Sequence, residues 1–488
     1  MLFMPLSIVW LKRDLRLHDH EPLQRAIAAG QPVLLVYVFE PDMVNDPHLS
    51  ERHFRFITQS LDDLRRQCPD IALWVKRAPV LEVLKALHQE FGISALFSHQ
   101  EVGLDYTFKR DLAVAEWCKN RGIDWSESPT GAVVRGLTHR RNWDKHWHQV
   151  MRAKAQHPDV NNAQWLIDVP TSDTLPNEWQ QPDENFQTGG ETSAWATLND
   201  FYAGRGQHYF RQLSSPLTAE TACSRLSPYL AWGNISLRQV YHTVLKSWKR
   251  PGWRRTLMAF SSRLHWHCHF IQKFESESEM EFRHLNPGYN DIPLTTGDQA
   301  QQHLKAWQQG QTGIPMVDAC MRCLQTTGYI NFRMRAMLVS FLTHHLALDW
   351  RLGVTHLARL FLDFEPGIHY AQFQMQAGVT GINTIRLYNP IKQGQEKDPE
   401  GQFISRWCPE LAELPVNFIH QPWELTAMEQ QLYDFSLGKD YPAPIIDVDA
   451  AAKTARDRLW SWRKKPQVLA HKKRILNRHA APKTKFTQ

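Results

Sequence analysis

Two arginines (Arg333 and Arg335), a tryptophan (Trp350) and two acids (Asp363 and Glu365) stand in a stretch beginning at Gly328 that is otherwise apolar enough to be core. Charges placed there cost several kcal/mol unless they are paired or hold something polar. A bound polar cofactor explains the set with the fewest assumptions. A second group lies in SRLSPYLAWGNISLRQ, Ser224 to Gln239. Ser227 before Pro228 reads as an N-cap with proline at the first helical position, and Ser236 with Gln239 reads as a capping box. Helix starts of this kind present free N–H groups and a partial positive charge, so Ser224, Arg225 and Ser227 suit a phosphate or pyrophosphate. Taken alone, ordinary capping remains the default.

Cys320 and Cys323 form a CxxC, and His265, His267, Cys268 and His269 crowd one segment. Structural zinc wants four ligands in two tight pairs, whereas these two cysteines fall one turn apart on a predicted helix, as small apolar residues would. No metal site is expected. The first βα turn lacks GxGxxG, so NAD is not suggested.

These residues need elements to position them. In the first 135 residues, SIVWL, PVLLVYVF, IALWVK and SALFSH alternate with helical stretches such as Glu21 to Ala29 and Phe54 to Cys68, which predicts a parallel sheet of βα units. Residues 136–190 change from a basic, Trp-rich helix to a run punctuated by Pro158, Pro170, Pro176, Pro182 and Gly189-Gly190, and read as an interdomain linker. Residues 191–462 read as a helical domain. Residues 463–488 form a basic tail.

A chain of 488 residues, 42% hydrophobic with 19 Trp, can bury two cores. The apolar N-terminus is cut short by Lys12, Arg13 and Asp14, and no run reaches membrane-spanning length, so a cytoplasmic protein without a membrane partner is expected. Seven cysteines without regular spacing fit a reducing compartment. The net charge of +6 is unevenly spread, because the tail from Arg463 holds nine cations and no acid, while the rest of the chain has 47 cations against 50 acids. Such a tail is an electrostatic hand for DNA or RNA, or a solvated end.

Five ordered blocks resemble the photolyase and cryptochrome flavoprotein family. They are IVWLKRDLRLHDHEPL, GGETSAWATLNDF, SRLSPYLAWGNISLRQ, AWQQGQTGIPMVDACMRCLQTTGYINFRMR and YNPIKQGQEKDPEGQFISRWCPEL. The resemblance implies a Rossmann-like α/β domain followed by an all-α domain that holds FAD. It implies that Tyr209, Ser224, Arg225, Leu226 and Ser227 lie along the pyrophosphate, and that Trp266 and His267 line the pocket together with Asn331. It further implies an Arg335–Asp363 pair beside the flavin ring, with Glu365 near the flavin or ribityl edge. Flipping a damaged base out of DNA explains the need for a cavity.

Departures from the family pattern bear on activity. Where its dimer-repair enzymes keep a glutamate, this chain has Arg263, a permanent cation. The outer and inner tryptophans of the family's electron relay fall at Gly297 and Phe373, leaving Trp350 in register, with Trp307 and Tyr329 as candidate substitutes. The residue facing flavin N5 aligns to His369, or to Tyr370 if the register shifts by one, and histidine can move a proton near neutral pH. The histidine pair of the (6-4) repair enzymes has no counterpart, since those positions read Asn331 or Phe332 and Ala336. The folate-contacting acid would have to be Glu101 or Asp105, so an antenna chromophore of folate or deazaflavin type stays open.

The resemblance thus implies a monomeric flavoprotein acting on UV-damaged DNA, in duplex or single-stranded form, as a light-driven pyrimidine-dimer photolyase with catalytic residues Arg263, Trp266 and His369. A cryptochrome-type blue-light photoreceptor, or a nucleic-acid-binding flavoprotein without repair activity, is the alternative, favoured by Arg263, Phe373 and Gly297.

Overall fold

A computed structural model describes residues 5–480. Among them is an N-terminal α/β domain with a five-stranded sheet in the order β3-β2-β1-β4-β5, built from β1 (Leu6–Leu11), β2 (Val33–Val38), β3 (Leu73–Lys76), β4 (Ile93–His99) and β5 (Asp124–Ser128). Every pair is parallel. β1 and β2 are buried on both faces because the helices Glu21–Ala28, Glu51–Gln67, Val80–Phe91 and Asp105–Arg121 cover the sheet, so their sequences read as continuous apolar runs. Ile8, Leu34, Val36, Leu84, Leu96 and Val114 form part of this core. β5, DWSES, was not foreseen: it is an edge strand with little apolar sequence, held by pairing to β4.

The proline-rich stretch after residue 135 holds the basic helix Trp143–Arg152 and runs back over the sheet domain. Trp165 pairs with Val33 in an isolated bridge, and Trp179 packs 5.1 Å from Phe39 and 4.7 Å from Phe54. The chain beyond is largely helical.

By contacts, the chain forms two compact units. The first comprises Met1–Gly204, Ser224–Glu281 and Leu362–Ile368, and the second Arg205–Cys223, Phe282–Phe361 and His369–Gln488. The second unit is built around the helices Gly297–Gln309, Pro315–Thr327, Phe332–Ser340 and Arg351–Leu360, with Trp307, Cys320, Leu324 and Met337 buried. Cys320 and Cys323 lie one turn apart inside Pro315–Thr327, and all seven cysteines are unbridged. The start of that helix is fixed by Asp318, which accepts the Thr312 and Gly313 N–H groups and the Tyr441 hydroxyl. As far as it is described, the sequence's basic tail forms the end of Val448–Arg463 and the helix Pro466–His479; Lys483 and Lys485 lie outside the described residues. No described helix is long and apolar enough to cross a membrane.

Candidate functional site

The expected site residues divide between the two units. In the first, Ser224 to Ser227 form the turn into the five-residue helix Ser227–Ala231. Ser227 is the first helical residue and Leu226 the cap, one position from the N-cap expected of Ser227, because Leu226 keeps a near-helical backbone. The Ser236–Gln239 capping box forms as expected. Arg225 adopts a left-handed backbone, φ 59°, held by a two-way clasp in which its Nε donates to Gln187 Oε1 at 3.2 Å and Gln187 Nε2 donates to its carbonyl at 2.9 Å. Such a conformation in a residue with a Cβ costs about 1–3 kcal/mol and collects at ligand clamps.

Half-buried Asp363 and buried Glu365 sit in Leu362–Ile368 of the same unit. What anchors this segment is Arg13, from the loop after β1. Its Nη1 donates to Phe364 O at 2.9 Å and to Ala231 O at 3.3 Å, and lies 3.6 Å from Glu365 Oε2, while the guanidinium stacks 4.4 Å from Trp232. Trp232 Nε1 donates to Leu362 O at 3.1 Å. Burial pushes the Glu365 carboxyl up to about 7, against the pull of Arg13. Sequence reading passed over Arg13; its signal was a second cation, after Lys12, just past the end of a strand rich in apolar residues.

The helix Arg254–Ser276 carries the remaining residues of this half. Arg263 and Trp266 are both exposed, with the guanidinium 5.0 Å from the indole ring. His267 faces elsewhere: it lines a cavity of about 90 Å³ whose wall includes Asp14, His99, Gly131 and Ile271. Its Nδ1 is buried without a hydrogen-bond partner, and burial pushes the ring down to about 4.

In the second unit, Tyr209 is buried at the start of a short helix, and Asn331 precedes Phe332–Ser340. Asn331 Nδ2 donates to Leu213 O at 3.0 Å, while its buried Oδ1 has no partner. Arg335, on the next turn, donates from Nε to Ile330 O at 3.1 Å and stacks its guanidinium 3.8 Å from the Phe361 ring. Trp350 is buried; its Nε1 donates to His284 Nδ1 at 3.0 Å, a ring kept neutral because burial pushes it down to about 4. Tyr370 meets Trp350 edge-on at 6.0 Å and Phe373 lies 6.4 Å away. Trp307 packs instead against His356, and Gly297 opens its helix with φ 69°. His369 Nε2 donates to Val354 O at 2.8 Å, which leaves Nδ1 as the ring's acceptor when it is neutral.

Asp14, His20 and His99 come together at the carboxyl ends of β1 and β4, a group the sequence reading missed because its members are spread over 85 residues. Asp14 Oδ1 accepts the Lys12 N–H at 2.7 Å, and Oδ2 lies 2.6 Å from His99 Nδ1 and 3.1 Å from His20 Nε2. His20 Nδ1 accepts the Leu23 N–H, so its proton sits on Nε2. A ring protonated there offers no lone pair to an ion, and the group reads as a hydrogen-bonded carboxylate. Of the candidate antenna acids, Glu101 is committed to Arg110 at 2.6 Å and lies 3.8 Å from Arg13, while Asp105 pairs with Lys109 on an exposed helical turn.

FAD needs cations and N–H donors for two phosphates and polar partners for a ring edge. Each unit by itself offers groups of this kind: the first has Arg225 in a strained turn, and the second has the Arg335 guanidinium and the orphaned Asn331 Oδ1.

Comparison with known proteins agrees. Residues 260–461 match the FAD binding domain of DNA photolyase, and residues 7–158 match DNA photolyase. The chain is 29% identical over 484 residues to the cryptochrome DASH of Gloeobacter violaceus, covering 92% of this chain and 95% of that one. It is also 29% identical over 474 residues to the deoxyribodipyrimidine photo-lyase of Escherichia coli, covering 91% and 96%. The crystal structure of a class III photolyase from Agrobacterium tumefaciens superposes with a TM-score of 0.82 at 26% identity, covering 95% of this chain and 99% of that one. The protein belongs to the photolyase and cryptochrome family, with a parallel five-stranded α/β domain and a largely helical FAD-binding domain.

Proposed function

We propose that this protein is a light-driven DNA repair enzyme acting on pyrimidine dimers. The observation that carries this reading is Trp266, a large aromatic left 40% exposed on a rigid helix with the Arg263 guanidinium beside it. An exposed indole is a stacking platform for an extruded base. The chemistry taken from bound, reduced FAD is light-driven donation of one electron to the dimer. Ser224, Arg225, Leu226 and Ser227 serve the pyrophosphate, as does Tyr209, while Arg335 and Asp363 each serve the ring, and Asn331 and Glu365 serve its surround. Arg263 sets a permanent cation near the lesion, where it offsets negative charge that develops there. His369, with Nδ1 as acceptor, governs a proton near the ring, and Trp350 passes electrons toward it.

A cryptochrome-type photoreceptor is the second reading, supported by Phe373 beside Trp350 and Gly297 at a helix start in place of relay tryptophans. Illuminating the reduced, FAD-loaded protein with a cyclobutane-dimer oligonucleotide separates the two. Restored thymines are expected; full FAD occupancy and DNA binding without turnover would leave the photoreceptor.

A further inference from the structure

Ten residues, Lys246 to Arg255, join the helix Leu237–Lys246 to the helix Arg254–Ser276. They hold Lys246, Lys249, Arg250, Arg254 and Arg255 and no acid, and all five cations are exposed. A solvated cationic turn would be the ordinary explanation. It suits Lys246, which complements the carboxyl end of its helix. It does not suit Arg254 and Arg255, which open a 23-residue helix where the dipole repels cations, in a first turn with no acid and above an N-cap, Trp253, that makes no side-chain bond. Among the described residues, no ion pair involves Lys246, Lys249 or Arg254.

The charges are also held in place. Arg254 lies 4.4 Å from the Trp248 ring, and Arg250 lies 4.4 Å from buried Trp253 while donating to Tyr202 O. In the turn between them Pro251 fixes its own φ, and Gly252, at φ 78°, takes the left-handed conformation that the turn requires. Cations fixed in this way lose little side-chain entropy when an anion arrives.

The turn continues into an exposed stripe. Arg255, Met258, Ser262 and Trp266 recur at helical spacing on one face of Arg254–Ser276, with Arg263 on its flank, and Met258 is left 55% exposed. At 1.5 Å per residue, Arg255 and Trp266 stand about 16 Å apart along the axis. That is the rise of about five base pairs.

We propose that the Lys246–Arg255 turn is a docking surface for the phosphate backbone of duplex DNA, reached along this stripe from the lesion platform at Trp266. The inference rests on the reading that DNA is the partner. It adds where the duplex beside the lesion is held.

The test compares two triple variants with the wild-type, FAD-loaded protein. One is Lys246→Gln/Lys249→Gln/Arg254→Gln; the other, Lys464→Gln/Lys472→Gln/Lys473→Gln, makes the same charge change in the other unit. Affinity for an undamaged duplex is measured by fluorescence anisotropy between about 50 and 200 mM salt, where each phosphate contact contributes about −0.9 to the slope of log K against log salt. The first variant should lose about two to three units of slope, and affinity at the lower salt should fall tenfold or more, with the melting temperature unchanged. The preference for a dimer-containing duplex over the undamaged one should be retained. An unchanged slope, an equal loss in the second variant, or salt-independent binding by the wild type would overturn the proposal. Absent repair alongside the expected slope loss would sink the repair reading and leave this surface standing.

Discussion

The Arg13 guanidinium lies 3.6 Å from the Glu365 carboxylate and ties the strand-end loop of the sheet to the segment that carries Asp363 and Glu365. Both side chains are largely buried, and burial outweighs the arginine in moving Glu365 from its ordinary 4.5 up to about 7. A raised carboxyl binds its proton more tightly folded than unfolded. The stability it contributes is therefore fully present below about 4.5 and is lost as pH rises through about 7, at about 1.4 kcal/mol per unit. Replacing Arg13 with Met leaves the charged carboxylate unpaired, which should cost about 3 kcal/mol near pH 8 and distinctly less near pH 5.5, where Glu365 is protonated. Denaturant melts at the two pH values check this, and equal losses would remove Glu365 from the account.

Gly233 turns beneath the same loop at φ 71°, and a Cβ there would collide with the Arg13 carbonyl and stand 2.5 Å from Asp14 Cα. Both obstacles are backbone, and the left-handed conformation adds its own penalty. Gly233→Ala should therefore destabilise by about 3 kcal/mol, read as a shift of the denaturant midpoint without a change in slope. A loss below about 1 kcal/mol would mean that the loop moves aside easily.

Four of the five strands were legible because both-face burial writes continuous apolar runs, and β5 was not because an edge strand needs no such run. Motif spacing pointed to Arg225, whose left-handed backbone is a finding of the structure, since a clasp from Gln187 across 38 residues leaves no local signature. The Asp14–His20–His99 group and the Arg13 anchor were hidden because each joins residues far apart in the chain, the first through the βα crossovers of the sheet and the second through segments near residues 231 and 364 that return to the loop after β1. His267 was expected beside a flavin and lines a cavity with Asp14 and His99, an orientation that helix phase sets and residue type does not reveal.

The strain at Arg225 allows opposite effects from one change. Arg225→Gly relieves a left-handed backbone and should raise the melting temperature of the FAD-free protein, by about 1 kcal/mol of stability. With Arg225 as the phosphate cation proposed above, the same change should speed FAD dissociation, followed by the rise in flavin fluorescence on release. Slower release, or none of the stability gain, would detach the strain from cofactor binding.

For Trp350, the question is whether it still relays electrons when Phe373 stands 6.4 Å away in place of a tryptophan. Phe373→Trp should accelerate photoreduction of bound FAD, followed by bleaching of its absorbance under blue light with an external reductant. Trp350→Phe should slow it at unchanged FAD occupancy. If neither variant alters the rate, electrons reach the flavin by another route, and Trp350 is packing held by His284.

Trp266 and Arg263 give the sharpest division between binding and folding. Both are exposed on one face of a long helix, so truncating either should leave stability within about 0.5 kcal/mol of the wild type. If Trp266 stacks on an extruded base, Trp266→Ala should cost roughly 1–3 kcal/mol, or about ten- to a hundredfold, in affinity for dimer-containing DNA with undamaged duplex affinity unaltered. Arg263→Ala separates the two uses of its charge. Weaker binding to damaged and undamaged DNA alike marks a phosphate contact, while repair that slows at unchanged binding marks stabilisation of charge on the lesion. Unaltered repair and unaltered binding together would show that the cation standing where dimer-repair enzymes keep an acid takes no part, and would move the chemistry away from this face of the helix.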